Sequence, residues 1–136
     1  MPKTFSYNKK EKLKSRTLMN DLFAKGNKPF LAFPVKVFYM EIKEPVDSPI
    51  KLGVGASGRT FKKAVDRNKV KRLLRESYRL NKLPLHEFVQ SNNKQIAVFL
   101  LFIDKTLPTF ELLQQKMPIL INKLIKALSE NTPENN

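Results

Sequence analysis

Cysteine and tryptophan are absent from this chain, and histidine occurs once, at His86. Without cysteine there is no disulfide and no thiolate-bound zinc, and the absence fits a reducing cytoplasm, the expected location. A lone histidine has no imidazole partner for acid–base or metal chemistry, so His86 reads as a structural or surface residue. Acids are scarce as well, with 12 Asp and Glu against 26 Lys and Arg. Asp66, Glu76 and Asp104 form no recognisable carboxylate cluster, whereas two-metal nucleases need several convergent acids. No metal or other cofactor is therefore expected on the protein itself. Only four glycines occur. Gly53, Gly55 and Gly58 lack the Gly-Lys-Ser/Thr ending of a phosphate-binding loop, and Gly-x-Gly inside a strand reads as packing. No apolar run approaches the roughly 18 residues of a membrane span, and the N-terminus MPKTFSYNKKEKLK is too charged for a signal peptide. No membrane partner is expected.

What is abundant is positive charge, +14 over 136 residues, and it is concentrated. The segment from Arg59 to Lys82 holds ten Lys or Arg and two acids, which is +8 of that total. On a helix with Arg67 at zero, Lys71 falls near about 40°, Lys82 about 60°, Arg75 about 80°, Asn68 about 100°, Arg79 about 120° and Arg72 about 140°. Lys69 falls near about 200°, off that arc, while Leu80, Leu73, Val70 and Leu74 occupy about 220° to 340°. One face can be buried while the other offers a row of cations. A merely solvated helix alternates signs to gain i,i+4 pairs, but like charges stack here at 67, 71, 75 and 79. The pattern suits a polyanion with regularly spaced phosphates. The narrow apolar face without tryptophan suits a membrane surface poorly.

The length fits one domain, and ten Phe within 41% hydrophobic residues can build its core. Residues 1–14 read as a basic, flexible arm, 15–128 as the domain, and 129–136 as a disordered polar tail. Ser15 or Thr17 is placed to cap a first helix to about Lys25, stopped by Gly26. Phe30 to Glu41 reads as extended and broken by Pro34, with Val35, Val37 and Tyr39 on one face and Lys36, Phe38 and Met40 on the other. Residues 44–49 form a turn or loop, and Lys51 to Ser57 a third strand whose Gly53, Gly55 and Ala56 permit close approach. The basic helix should end near Asn81, ahead of Pro84. A polar connection over 83–94, with at most one helical turn, leads to an apolar run from Gln95 to Ile103, a central strand covered on both faces. A last helix starts at Thr106 or Thr109 and carries Phe110, Leu113, Met117, Leu120, Leu124 and Leu128; Pro118 should kink or restart it.

Phe38 shares its strand face with Lys36, so that face is at least partly wet. Met19 and Phe23, a stripe on the first helix, could lie beside it. Rings flanked by cations make a platform for single-stranded nucleotides. Met19 and Phe23 taken alone read rather as core filling, because helical stripes usually pack.

The run Arg67-Asn68-Lys69-Val70-Lys71-Arg72-Leu73-Leu74-Arg75 resembles the signature of the bacterial ribonuclease P protein family: Arg-Asn-Arg, an aliphatic, Lys-Arg, two aliphatics and Arg. It departs once, at Lys69, which keeps the charge but loses the bidentate fork. Lys12 to Gly26 is similar to the family's first helix, with Met19 where an aromatic is common and Phe23 three residues before the glycine. Leu52 to Ser57 is similar to the strand before the signature, followed by Arg59 in a usually basic region. The resemblance spans roughly residues 10–125.

It implies an α+β fold, a single-domain sandwich in the order αβββαβα with a left-handed βαβ crossover through the basic helix, against the right-handed rule. It implies the noncatalytic protein subunit of a ribonucleoprotein endonuclease. The catalytic RNA, using Mg²⁺, removes the 5′ leader of precursor tRNA, and those two RNAs are the partners; no dedicated protein partner is expected. By the resemblance, Arg67, Asn68, Lys69, Lys71, Arg72, Arg75 and Arg79 grip the catalytic RNA, and Met19, Phe23, Lys36, Phe38 and Arg59 take the leader. Two other readings remain open. One is a ribosomal-type protein that binds structured RNA without a processing role. The other is a protein-only nuclease, disfavoured by the shortage of acids and histidine.

Overall fold

The computed structural model describes residues 12–13, 15–24, 29–43, 48–59 and 61–130. The first helix, α1, runs Arg16–Phe23, and its N-cap is Ser15, whose Oγ accepts from the Leu18 N–H at 3.2 Å. The expected stop at Gly26 lies outside the described residues. Two antiparallel strands follow, β1 (Phe30–Ala32) and β2 (Val35–Glu41), separated at Phe33-Pro34 as the proline demanded. Next come β3 (Ile50–Ala56), α2 (Ala64–Asn81), α3 (Leu83–Ser91), β4 (Ile96–Phe102) and α4 (Phe110–Glu130).

The sheet order is β1-β2-β4-β3. The near-continuous apolar run forms β4, an interior strand, antiparallel to β2 and parallel to β3. The chain therefore crosses from β3 to β4 through α2 and α3. Period-two alternation sorts β4 onto two faces. Ile96, Val98, Leu100 and Phe102 join Val35, Val37, Ile50 and Leu52 in the main core, under α2, α3 and α4. Ala97 and Phe99 point to the opposite face, with Phe38 and Met40, where Leu18, Met19 and Leu22 of α1 form a second, smaller cluster with Leu13 and Ile42. Each fully buried aliphatic contributes about 1.5–3 kcal/mol, so the larger cluster dominates stability.

Three details depart from the sequence expectations. The connection after Asn81 holds a nine-residue helix, α3, with Pro84 in its first turn. A proline there loses no intrahelical bond, so the residue read as a stop is a start. Leu85 and Val89, four apart, bury the inner side of α3. Its end is fixed at Asn93, whose φ is 51°: the Lys94 N–H reaches Val89 O at 2.9 Å and the Asn93 N–H reaches Gln90 O at 3.2 Å. Second, α4 continues through Pro118. Leu113 and Met117 before it and Leu120, Ile121, Leu124 and Leu128 after it keep one buried stripe, and packing holds the helix across the missing bond. Its start matches the Thr109 alternative, since the Leu112 N–H donates to Thr109 Oγ1 at 3.1 Å. Third, Lys12 and Leu13, assigned to the arm, lie against the edge of β3: the Leu13 N–H donates to Leu52 O at 2.9 Å, and Leu13 is buried. The other residues assigned to that arm, 1–11 and 14, lie outside the described residues; of the expected tail, Ser129 and Glu130 belong to α4 instead, and 131–136 lie outside the described residues.

Candidate nucleic-acid interface

Helix α1 has eight residues and covers only one end of its sheet face. What remains uncovered is built around three rings. Phe38 and Phe99 are cross-strand partners in β2 and β4. Phe23, at the last turn of α1, stands edge-on to both, with centroids 4.8 Å from Phe38 and 5.2 Å from Phe99 and interplanar angles of 74° and 71°. Phe23 keeps 48% of its surface exposed. Lys36 Nζ lies 5.5 Å from the centre of the Phe38 ring. The next row across the sheet carries Leu31, Lys36, Leu101 and Gly55. The structure thus brings Phe23, Lys36 and Phe38 together. Met19 is half-buried in the smaller cluster and also lines the adjoining groove. Arg59 is exposed in the turn after β3, its N–H donating to Ser57 Oγ at 3.2 Å.

The cations of α2 are sorted differently from the helical wheel. Val70, Leu74, Ser77 and Tyr78 are buried, so the inner arc runs from about 280° through zero to about 20°. Tyr78 moves it; the sequence reading had not counted that ring among the apolar residues. Arg67 falls inside this arc, at the first turn of the helix, and Lys71 at its edge, and both are half-buried. Arg67 Nη1 donates to Phe61 O at 2.7 Å and Lys62 O at 2.9 Å, tying the loop before α2 to its first turn. Arg79 is engaged by Glu76, with Nη2 to Oε2 at 2.6 Å. The hydrogen bond from Arg79 holds the Glu76 carboxyl below its ordinary value, and Glu76 raises Arg79 in turn. Lys82 is buried beyond the end of α2, its Nζ 6.0 Å from the Tyr78 ring centre. Asn68, Lys69, Arg72 and Arg75 are exposed on the outer side, so Lys69 stands with its neighbours rather than apart from them. At the far end of α2, Asn81 Nδ2 donates to Gln114 Oε1 of α4 at 2.7 Å, fixing the helix on the core. His86 is half-buried with Nε2 3.4 Å from Tyr78 Oη.

Phe99 is the residue that the sequence reading missed. A run as apolar as 95–103 implies a strand covered on both faces, whereas Phe99 and Leu101 are only partly buried. The alternation in β4, taken with glycines at 53 and 55, is the signal that could have found it. A groove of about 200 Å³ runs beside Phe99 toward α2, and Arg75 forms part of its wall. Among the described residues, no group of three His, Cys, Asp or Glu could hold a metal ion, and no helix is long and apolar enough to cross a membrane.

A ring-bearing, partly open sheet face beside a cationic helix defines a basic α+β nucleic-acid-binding domain. Residues 7–125 match the family described as Ribonuclease P. Two strains of Porphyromonas gingivalis carry a ribonuclease P protein component 32% identical over 132 residues, covering 97% of this chain and 93% of the relative. A ribonuclease P protein component of Chlorobium phaeobacteroides is 32% identical over 137 residues, covering 93% and 92%. The solved structure of the Staphylococcus aureus RNase P protein superimposes with a TM-score of 0.63 at 19% identity, covering 85% of this chain and 95% of that one. The chain belongs to the ribonuclease P protein family. It is a protein subunit of an endoribonuclease that works with an RNA subunit in the 5′ maturation of tRNA.

Proposed function

We propose that this subunit holds two RNAs on two surfaces. The outer side of α2, with Asn68, Lys69, Lys71, Arg72 and Arg75, grips the catalytic RNA, with Arg67 and Arg79 at its margins. The open sheet face, with Phe23, Phe38, Lys36 and Met19 and with Arg59 at the turn beyond β3, takes the single-stranded 5′ leader of precursor tRNA. Phosphate contacts need only charge, whereas stacking needs unpaired bases, so the two surfaces select different RNA states. The cleavage chemistry and its Mg²⁺ belong to the RNA subunit, the protein takes no cofactor of its own, no dedicated protein partner enters the scheme, and the assembly works in the cytoplasm. The observation that carries the reading is the three-ring cluster with Lys36 at its edge on a face that α1 leaves half open.

The test is reconstitution with a bacterial ribonuclease P RNA. At low Mg²⁺, adding the protein should raise precursor-tRNA cleavage, while the protein alone should cleave nothing. RNA binding without any gain in cleavage would favour a ribosomal-type protein. Cleavage by RNA-free protein would favour a protein-only nuclease.

A further inference from the structure

Phe99 owes its position to side chains that β3 lacks. A Cβ at Gly55 would stand 2.8 Å from the ring's Cζ, and one at Gly53 would stand 2.9 Å from its Cδ2. Both are closer than real Cβ contacts come, so the ring spans ground that only glycine leaves open. Phe23 meets the same ring edge-on at 5.2 Å. Beside it lies the groove of about 200 Å³, walled by Leu13, Met19, Val54 and Arg75. That is smaller than the roughly 300–1,000 Å³ of pockets for drug-sized ligands, and it suits one planar ring. Arg75 is exposed and comes from α2, so a member of the cationic helix borders the aromatic face.

We propose that Phe99, Arg75 and the β3 glycines form a subsite for one unpaired nucleotide, the base stacking on Phe99 and its phosphate meeting Arg75. The proposal rests on the reading that the open face takes a single-stranded leader, and it extends that face toward α2. Arg75 then serves the leader as well as the catalytic RNA. Gly53 and Gly55 are positioning residues that act through the ring.

The test uses the holoenzyme reconstituted with a bacterial ribonuclease P RNA. Its affinity is measured for precursor tRNA with a leader of several nucleotides and for the same tRNA without one. Gly55→Ala is the sharpest variant. The clash falls on the far tip of the ring, which swings aside, so the fold survives while the plate is lost. Gly55→Ala and Phe99→Leu should each weaken leader-bearing substrate by about tenfold, within the range for one stacked base, and leave leaderless tRNA within about twofold. Arg75→Gln combined with Phe99→Leu should cost less than the product of the single losses, as for two contacts to one nucleotide. Phe38→Ala separates the possible failures. If it shows a leader-dependent loss while Gly55→Ala and Phe99→Leu do not, the subsite is wrong and the leader face stands. If none of the three does, both fall. Equal losses with and without a leader would make Phe99 a structural residue and overturn the proposal.

Discussion

Replacing Glu76 with Gln should strengthen binding to the catalytic RNA and make it more sensitive to salt. In the folded chain Glu76 holds Arg79 through a 2.6 Å contact, so one cation of the basic helix faces an acid rather than solvent. Lys69, Lys71, Arg72 and Arg75 remain to meet phosphates. Four duplex-like contacts give a log–log salt slope of about −3.6, a loss of roughly 150-fold in affinity between about 50 and 200 mM salt. Releasing Arg79 adds a fifth contact, which takes the slope to about −4.5 and the same loss to roughly 500-fold. The exchange is made by substitution because pH reaches it poorly. The Glu76 pKa is lowered from 4.5, so the pair is fully formed above 4.5 and is lost only as pH falls through the lower folded value. Between about pH 6 and 8 the slope should not change on its account. The assay is fluorescence anisotropy of labelled RNA subunit against salt for wild type, Glu76→Gln and Glu87→Gln, an exposed acid on α3. Glu87→Gln should leave the slope near wild type. A slope unchanged in Glu76→Gln, or equally steepened in both variants, would refute the role given to Arg79.

Phe38→Ala should lower the affinity of the holoenzyme for leader-bearing substrate by an amount corresponding to about 1–3 kcal/mol and leave leaderless tRNA unaffected. Because Phe38 is half-buried, its melting temperature should fall less than for a core phenylalanine, whose truncation costs about 3–5 kcal/mol; a collapsed melting curve would place the ring in the core. Arg72→Ala should show the opposite bias, weakening assembly with the RNA subunit more than leader selection, and equal effects on both would merge the two surfaces. Arg67→Ala should act mainly on the fold. It removes two hydrogen bonds to the Phe61 and Lys62 carbonyls, and thermal melting should register a loss of about 1–3 kcal/mol; unchanged melting would return Arg67 to the RNA surface.

Much of this architecture was legible because it follows from local rules. The Ser15 cap, the break at Pro34, the alternation along Val35 to Met40 and the apolar run of β4 each specify their element without tertiary help. The helix after Asn81 was missed because Pro84 was weighed as a breaker, when its first-turn position makes it compatible with a helix. In α2 the spacing placed the cations correctly in sequence but not in space. Tyr78 rotated the buried arc, and two arginines proved to be engaged within the chain, Arg67 by carbonyls and Arg79 by Glu76. Side-chain partners of that kind depend on atomic distances that periodicity does not encode. Phe23, Lys36 and Phe38 could be grouped from alternation and charge. Phe99 stayed hidden because a run as apolar as 95–103 implies cover on both faces, whereas an eight-residue helix leaves part of that face open; only the β4 alternation together with Gly53 and Gly55 points to it.

Leader dependence tests the two-surface arrangement most directly. Precursor tRNAs with leaders from zero to several nucleotides would be titrated against the RNA subunit alone and against the reconstituted holoenzyme. Affinity should climb with leader length only when the protein is present, and then level off once the open face is filled. The same affinity with and without protein at every leader length would contradict the account.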